Sequence, residues 1–599
     1  MKQTVSVIFR SAFILLVVCC SLFMPNANSH ALSRMDITQN GTLQAMVLTG
    51  NEAEMRTGWS MAKGDFNGDG IDDLAIGSPG TIMQGRADAG SVSIYFGGAA
   101  FGGLSGGIEL AQLQDPQEDV LLVGASEDEG VGYKVVSGNI NGDGYDDLII
   151  VAMDWESDTN IKPENTKIYI VLGKPTASFD NIILLASDAD ATLERKATVA
   201  GQEIDSMNVT SITVGKLNDD PYDDIVITDD LVLTVDKGSP VAPGGTWDTE
   251  RHGGNNGAVY IVWGKETWSN INLTTGSDII INRNGGEDTF QAYSAAIGDL
   301  DGDGQADLAL GAKKEDHQGN TANGAVYIIW GQGFPTQNEV DIDAAAGLVI
   351  SGGCDNDMIG GSLAIGDINN DSPALNDLLI GAPDSNLCGI NQDGMGSVAV
   401  LWGRSNWPAT WNLNTIFGDG YDLQFSWKNE YARPGIYTGE TLLVEDVNDD
   451  GMGDVVIGTP GASTDPQDLK CGLISVVYGG DFAKDDYGLS ADADIMITAP
   501  TGQDILSNGQ MGSSIAVGNF NGTGKPDMVV GAPQGKNLSG NFTAGWCGVL
   551  FDVTSKTGLA YVINGLKVLT GLDAPIYDKT GDAIVTMADI LMELQFISQ

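Results

Sequence analysis

Basic residues are scarce in this sequence. It carries 29 lysines and arginines against 81 aspartates and glutamates, a formal charge of −52 over 599 residues. A nucleic-acid partner is thereby disfavoured, because phosphate binding needs clustered cations to displace counterions. Docking on anionic lipid is disfavoured for the same reason. Histidine is rarer still, limited to His30, His252 and His317. Neither an H-E-x-x-H helix nor a phosphate-binding P-loop appears. No C-x-x-C spacing exists, which speaks against a zinc site. After residue 24 no apolar run approaches the ~20 residues that span a bilayer. What is abundant is glycine, 81 residues, beside only 19 prolines and no G-X-Y period. That combination points to many tight turns between short strands. A hydrophobic fraction of 42% with 11 tryptophans is enough to build a core.

The first thirty residues read as an export signal. Lys2 and Arg10 precede an apolar run from Ala12 to Met24, followed by Pro25 and the small residues Ala27 and Ser29. A membrane anchor is the alternative, but about 13 apolar residues are short for it. Cleavage is expected near Ser29 or Ala31, giving a secreted, cell-surface or periplasmic protein. Cys354, Cys388, Cys471 and Cys547 would then meet an oxidising compartment, where four cysteines usually pair.

Self-similarity organises the rest. An acidic loop begins at Asp65, Asn139, Lys216, Asp299, Asp367, Asp446 and Asn519, at spacings of 68 to 83 residues. A small-residue strand precedes each loop, as in Ser294 to Asp299. A short apolar strand follows, mostly ending in Gly-Ala-Pro or a variant such as Gly381-Ala382-Pro383. A third strand runs from Gly to an aromatic-Gly end, as in Gly257 to Gly264. A fourth, such as Leu348 to Ser351, comes about 15–20 residues before the next loop. Four short strands per unit without helical periodicity predict an all-β, seven-bladed propeller over residues 41–553. The alternative, a string of independent modules, lacks the linkers it would need. The first fourth-type strand, Leu43 to Thr49, precedes the first loop, and the last unit stops after its third strand. The N-terminal strand is therefore expected to complete the last blade.

The acidic loops have the ligand pattern of a cation site. Asp299, Asp301, Asp303 and Asp307 hold positions 1, 3, 5 and 9, with Gly304 at the turn and the Gln305 carbonyl at position 7. Ca²⁺ takes six to eight oxygens at about 2.4 Å, and alternate side chains of a short loop converge on one point. Asp65, Asn67, Asp69, Ile71 and Asp73 repeat the pattern, as do Asp446, Asn448, Asp450, Met452 and Asp454. Asn139, Asn141, Asp143, Tyr145 and Asp147 carry it with fewer carboxylates. Asp367, Asn369 and Asp371 are followed by two extra residues before Asp377. Two loops look broken: Lys216 holds position 1 of the third, beside Asn218, Asp220 and Asp224, and Thr523 replaces the carboxylate of the seventh. The Lys216 ammonium is expected to act as an internal counter-charge. A solvated turn explains any single such loop, but not their recurrence at blade spacing. About three to six Ca²⁺ ions are expected, in a structural role.

This strand, D-x-[DN]-x-D-G-x-x-D loop and Gly-Ala-Pro unit resembles the FG-GAP repeat of integrin α-chain propellers and their bacterial relatives. Its Phe-Gly half is eroded: Gly58-Trp59, Gly132-Tyr133 and Gly361-Ser362 stand there. The resemblance implies a binding or adhesion platform, with calcium on one face and ligand-contacting loops on the other. After Val553 the pattern changes. Leu559 to Leu569 reads as a helix, and Asp578, Thr580, Asp582 and Asp589 then occupy positions 1, 3, 5 and 12 of an EF-hand-like loop entering a second helix. Residues 556–599 are similar to a dockerin repeat, which implies a cohesin-like partner. A small helical cap with a vestigial loop is the other reading.

The face opposite the acidic loops is expected to hold all four cysteines, paired as Cys354–Cys388 and Cys471–Cys547 in the simplest connectivity, with unpaired buried thiols as the alternative. It also carries the longest connection, Thr228 to Gly257, with Trp247, Arg251 and His252. Such a loop is either a ligand contact or a mobile insertion. Taken together, the sequence reads as a secreted, calcium-stabilised binding protein for an extracellular protein or glycan. The rival is a polysaccharide hydrolase or lyase on the same scaffold, for which no dedicated catalytic module stands out.

Overall fold

The computed structural model describes residues 33–36 and 45–550. Excepted are short internal segments and the longer stretches 111–118, 154–165, 231–256, 386–394, 463–470, 499–508 and 536–545. The expected leader and the dockerin-like tail, with Asp578, Thr580, Asp582 and Asp589, lie outside the described residues.

Seven sheets form the blades of a propeller. In blade 1 the first strand, Ser60–Gly64, pairs antiparallel with Asp73–Ser78, that with Ser91–Tyr95, and that with Val120–Val123. The same order recurs around the ring to blade 7, whose first three strands are Ser514–Gly518, Asp527–Ala532 and Trp546–Leu550. Its fourth strand comes from the other end of the chain. Ala45–Gly50 pairs antiparallel with Trp546–Leu550, matching Ala45 with Leu550 and Thr49 with Trp546. The ring thus closes as the repeat pattern requires, which removes two open sheet edges.

Second strands such as Asp73–Ser78 are buried at every residue. They lie mid-blade, and alternate side chains enter two different cores. Leu74 and Ile76 pack with Val529 and Val549 of blade 7, whereas Ala75 packs with Ile150 and Val135 of blade 2. Seven such apolar clusters result, one for each blade interface. No blade has a core of its own, which is why the repeats are stable only as a ring.

A fifth strand was not anticipated. Each sheet is extended by a short parallel strand from the segment preceding the next blade's fourth strand; in six blades this segment is the connection from that blade's third strand, and in blade 6 the strand is Ser33–Asp36, ahead of Ala45–Gly50. Ile182–Leu184 of blade 2 adds to blade 1, and Gly106–Leu110 of blade 1 adds to blade 7 beside Ala45–Gly50. Most of these strands run two to four residues, too short to show a period. In four blades a single helical turn follows, and its first residue (Leu185, Leu273, Ile342 or Leu489) is buried at the rim.

Hydroxyl groups link the first strands of successive blades on the face opposite the acidic loops. Ser60 Oγ donates to the Gly132 carbonyl (2.8 Å), Thr210 to Ala292 (2.7 Å), Ser294 to Gly360 (2.9 Å), Thr441 to Ser513 (3.0 Å) and Ser514 to Gly58 (2.6 Å). The last of these spans the ring closure.

Candidate cation-binding loops

Every acidic loop joins the first and second strands of its blade, so all seven lie on one face. The blade 4 loop shows how it is shaped. Asp299 accepts from the Gly302 and Gly304 amides (2.7 and 2.8 Å), Asp301 from Asp303 (3.1 Å) and Asp303 from Gln305 (2.8 Å). Asp299, Asp301 and Asp307 each offer an oxygen, and the three lie within 4.8 Å of one another. Two ligands on opposite sides of one Ca²⁺ are separated by about that distance, so this donor set fits a hard cation.

Blade 1 has the same fold. Asp65 accepts from Gly68, Asp69 and Gly70, Asn67 from Asp69, and Asp69 from Ile71. Gly68 and Gly70 sit at φ 76° and 82°, and a Cβ on Gly68 would come within 2.3 Å of the Tyr145 ring. Only glycine fits there. In blade 6 Asp446 accepts from Asp450 and Gly451, and Asp450 from Met452. In blade 2 Asn139 accepts from Gly142 and Asp143 from Tyr145. In blade 5 Asn369 accepts from Asp371, which accepts from Leu375 (3.2 Å); residues 370 and 372–374 are outside the description.

The position-9 aspartate has a second task. Asp73, Asp147, Asp224, Asp307, Asp377, Asp454 and Asp527 are all fully buried. In six blades one carboxylate oxygen accepts from the second loop residue and the other from the glycine ending the third strand. For Asp307 these donors are Leu300 and Gly331, both at 2.8 Å. For Asp73 they are Phe66 and Gly97, at 2.8 and 2.7 Å. Burial pushes Asp73, Asp147 and Asp377 up to about 7 and Asp224, Asp307 and Asp454 up to about 6. The amide donors oppose that rise and neighbouring loop carboxylates add to it. A bound cation would relieve this cost by favouring the ionised form.

The loops are also joined to one another through position 8, which sequence reasoning overlooked. Asp146 of blade 2 accepts from the Asp65 amide (2.9 Å), Asp223 of blade 3 from Asn139 (2.9 Å), and Asp72 of blade 1 from Asn519 of blade 7 (2.7 Å). The signal was the doublet: Asp72-Asp73, Asp146-Asp147 and Asp223-Asp224 each place one carboxylate in the home loop and one on the neighbour.

Blade 3 departs from the pattern for a visible reason. Lys216 cannot accept amide bonds at position 1, and Pro221 stands at position 6, where proline's fixed φ forbids the left-handed turn. Among the described residues Lys216 makes no ion pair within 4 Å. We expect Asp301→Ala to cost more stability in calcium than Asp220→Ala, by about 1–3 kcal/mol. Thermal midpoints of the two variants decide the matter, and equal losses would show that the blade 3 loop is not the weaker one.

Trp247, Arg251 and His252 lie outside the described residues, as does Cys388. Cys354 is disulfide-bonded. The expected Cys471–Cys547 bridge is not formed, and both are buried thiols. Cys471 packs in the core between blades 6 and 7, whereas Cys547 packs between blades 7 and 1, so blade 7 itself separates them.

Comparison with known proteins agrees with this geometry. Residues 57–95, 292–329 and 511–545, in blades 1, 4 and 7, match the FG-GAP repeat. The phosphatidylinositol-glycan-specific phospholipase D of Rattus norvegicus is 29% identical over 247 residues, covering 41% of this chain and 26% of that protein. The Homo sapiens enzyme of that name is 28% identical over 249 residues, covering 41% and 27%. Integrin alpha pat-2 of Caenorhabditis elegans is 24% identical over 292 residues, covering 48% and 20%. The matched region therefore spans about a quarter of the phospholipase chains and a fifth of the integrin. Among the described residues no helix is long and apolar enough to cross a membrane.

Proposed function

We propose that this FG-GAP propeller is a secreted, calcium-stabilised binding protein that presents one face to an extracellular protein or glycan ligand. The convergence of Asp299, Asp301 and Asp307 oxygens within 4.8 Å supports the reading, because it suits a cation on the acidic face and leaves contact to the other. Asp65, Asn67, Asp69 and Asp73, and Asp446, Asn448, Asp450 and Asp454, would hold further ions through their side chains. The Ile71, Gln305 and Met452 carbonyls would serve at position 7. The cation supplies rigidity and charge neutralisation, not a reaction. The similarity to an integrin α-chain supports a ligand-binding role. Residues 556–599 would serve as a docking module for a cohesin-like partner.

The ligand contact is assigned to the connection between Asp229 and Ala258, the longest one on the face opposite the loops. Trp247 can stack on a sugar or anchor a protein hot spot, and Arg251 can grip a carboxylate or sulfate in two places. Deleting Leu233 to Asn255 is expected to abolish ligand capture and to leave the calcium-dependent melting transition in place. A glycan array and a pull-down of surface proteins, each with and without EDTA, supply the ligand. Unchanged affinity in the folded deletion variant would move the contact to another blade. Reducing-sugar release from the array glycans would favour the enzyme reading instead.

A further inference from the structure

The peptide that joins the first two candidate ligands of the blade 4 loop is held from outside its own blade. Leu300 lies between Asp299 and Asp301 and is fully buried. Its amide donates to Asp307 (2.8 Å). Its carbonyl accepts from two groups of blade 5, the Arg404 amide (3.2 Å) and the Trp407 indole Nε1 (3.2 Å). A carbonyl oxygen has two lone pairs, so both bonds can be made at once.

The amide bond recurs around the ring, whereas the indole bond is selective. In blades 7, 1, 2 and 5 the second loop residue also accepts from the next blade's backbone, through Gly98, Lys174, Lys265 and Gly480 at 2.8 to 3.0 Å. Among the described residues an indole donates to this carbonyl only in blades 2 and 4; in blade 2, Trp268 meets Ile140 at 3.3 Å. In blade 3, where Lys216 and Pro221 break the ligand pattern, Leu217 accepts neither kind of bond among the described residues.

Trp407 is fixed by its own neighbours. The Arg404 guanidinium lies 4.9 Å from its ring and 4.8 Å from that of Trp411, and pairs with Asp422. Trp411 belongs to Thr410–Leu413, the fifth strand that blade 5 adds to blade 4, and stands opposite Ile350. Trp407 also meets Trp330, with ring centroids 6.4 Å apart. Trp330 precedes Gly331, whose amide is the other donor to Asp307 (2.8 Å). The indole thus braces both amides that orient Asp307, one through the Leu300 peptide and one through Trp330.

We propose that Trp407, supplied by blade 5, is a positioning residue for a cation held by Asp299, Asp301 and Asp307 of blade 4. The proposal rests on the calcium reading of that loop. Trp407 touches no ligand oxygen; it fixes the Leu300 peptide, and with it the spacing of three carboxylates that converge within 4.8 Å. Like charges at that distance repel, and a loose loop would spread them. Removing groups that hold metal ligands typically costs roughly 10–100-fold in affinity. The blade 4 site is therefore complete only when blade 5 is docked, and an ion bound there favours the packed interface of the two blades.

A double-mutant cycle on the full chain tests this role. Trp407→Phe keeps an aromatic ring in the stack and removes the N–H. In calorimetric titration with calcium, the step that Asp301→Ala abolishes is expected to weaken about tenfold in Trp407→Phe. The thermal midpoint of Trp407→Phe is expected to fall further in calcium than in EDTA, and this excess is expected to vanish in the Asp301→Ala background. A tryptophan that only packs would lower both midpoints alike. Undiminished calcium affinity, equal losses in calcium and EDTA, or an excess that survives Asp301→Ala would each overturn the proposal. If Asp301→Ala abolishes no calcium step, the calcium reading of the loop fails, and the role of Trp407 fails with it.

Discussion

Adding calcium to EDTA-stripped protein at pH 7.5 is expected to raise the thermal midpoint by about 10 °C. An ion held by the folded loops and not by the unfolded chain would contribute about 2.7 kcal/mol per site at a hundredfold excess over its dissociation constant. Three or more sites therefore contribute roughly 8 kcal/mol or more. Spread over the unfolding entropy of a chain of this size, that is about 1 °C per kcal/mol. The loops are coupled, since Asp72, Asp146 and Asp223 each hold the first amide of the preceding blade's loop. The transition is accordingly expected to stay single, with the whole ring gaining together. The effect has a definite pH sign. The buried position-9 carboxyls are raised from 3.8 to about 6 or 7 when no ion is bound. In the stripped protein their contribution is present below about pH 4 and is lost as pH rises through 6 to 7. Calcium would bind the ionised form, so its stabilisation is expected to be largest above pH 7 and to shrink toward pH 5. Differential scanning calorimetry at the two pH values checks both parts. A midpoint indifferent to EDTA would show that these loops hold no ions.

Arg283→Met is expected to destabilise the protein by about 3–5 kcal/mol, measured by urea unfolding in saturating calcium. Arg283 leaves the end of the fourth strand of blade 3 and enters the interface with blade 4. There it pairs with Glu315 (3.1 Å), donates to the Tyr327 hydroxyl (2.6 Å) and grips Asp343 with two nitrogens (2.9 and 3.0 Å). Its side chain is 7% exposed and that of Glu315 only 2%. Removing the guanidinium leaves the buried Glu315 charge without its cation, which costs more than the pair itself contributes. The comparison is Lys63→Met, which breaks the pair with Glu445 where both side chains are about one-third exposed. Solvent screens that pair, and a loss under about 1 kcal/mol is expected. Equal losses in the two variants would mean that the buried cluster is not a keystone of the interface. Adding Glu315→Gln to Arg283→Met should recover part of the loss, because the orphaned charge is then gone.

The number of blades, the face that carries the acidic loops and the way the ring closes were legible in the amino-acid order. Each rests on local chemistry repeated at a fixed distance: glycines for left-handed turns, alternate oxygens for one ion, and short apolar strands buried on both sides. The terminal strand Ala45–Gly50 could be assigned to blade 7 because one blade lacked a fourth strand and one strand lacked a blade. Contacts between blades became visible only once the chain was folded. The parallel fifth strands have no periodic signature, since their residues are chosen by the neighbour's edge and not by a face of their own. The second aspartate of each doublet looked like more of the same acid until its partner proved to be an amide in the preceding blade. Cys471 and Cys547 looked like a pair in a linear reading, yet alternation turns their side chains into cores on opposite sides of blade 7. The Arg283 cluster was equally hidden, because Arg283, Glu315, Tyr327 and Asp343 meet only when two blades stack. Local rules specify a repeat, and its neighbours in space specify the exceptions.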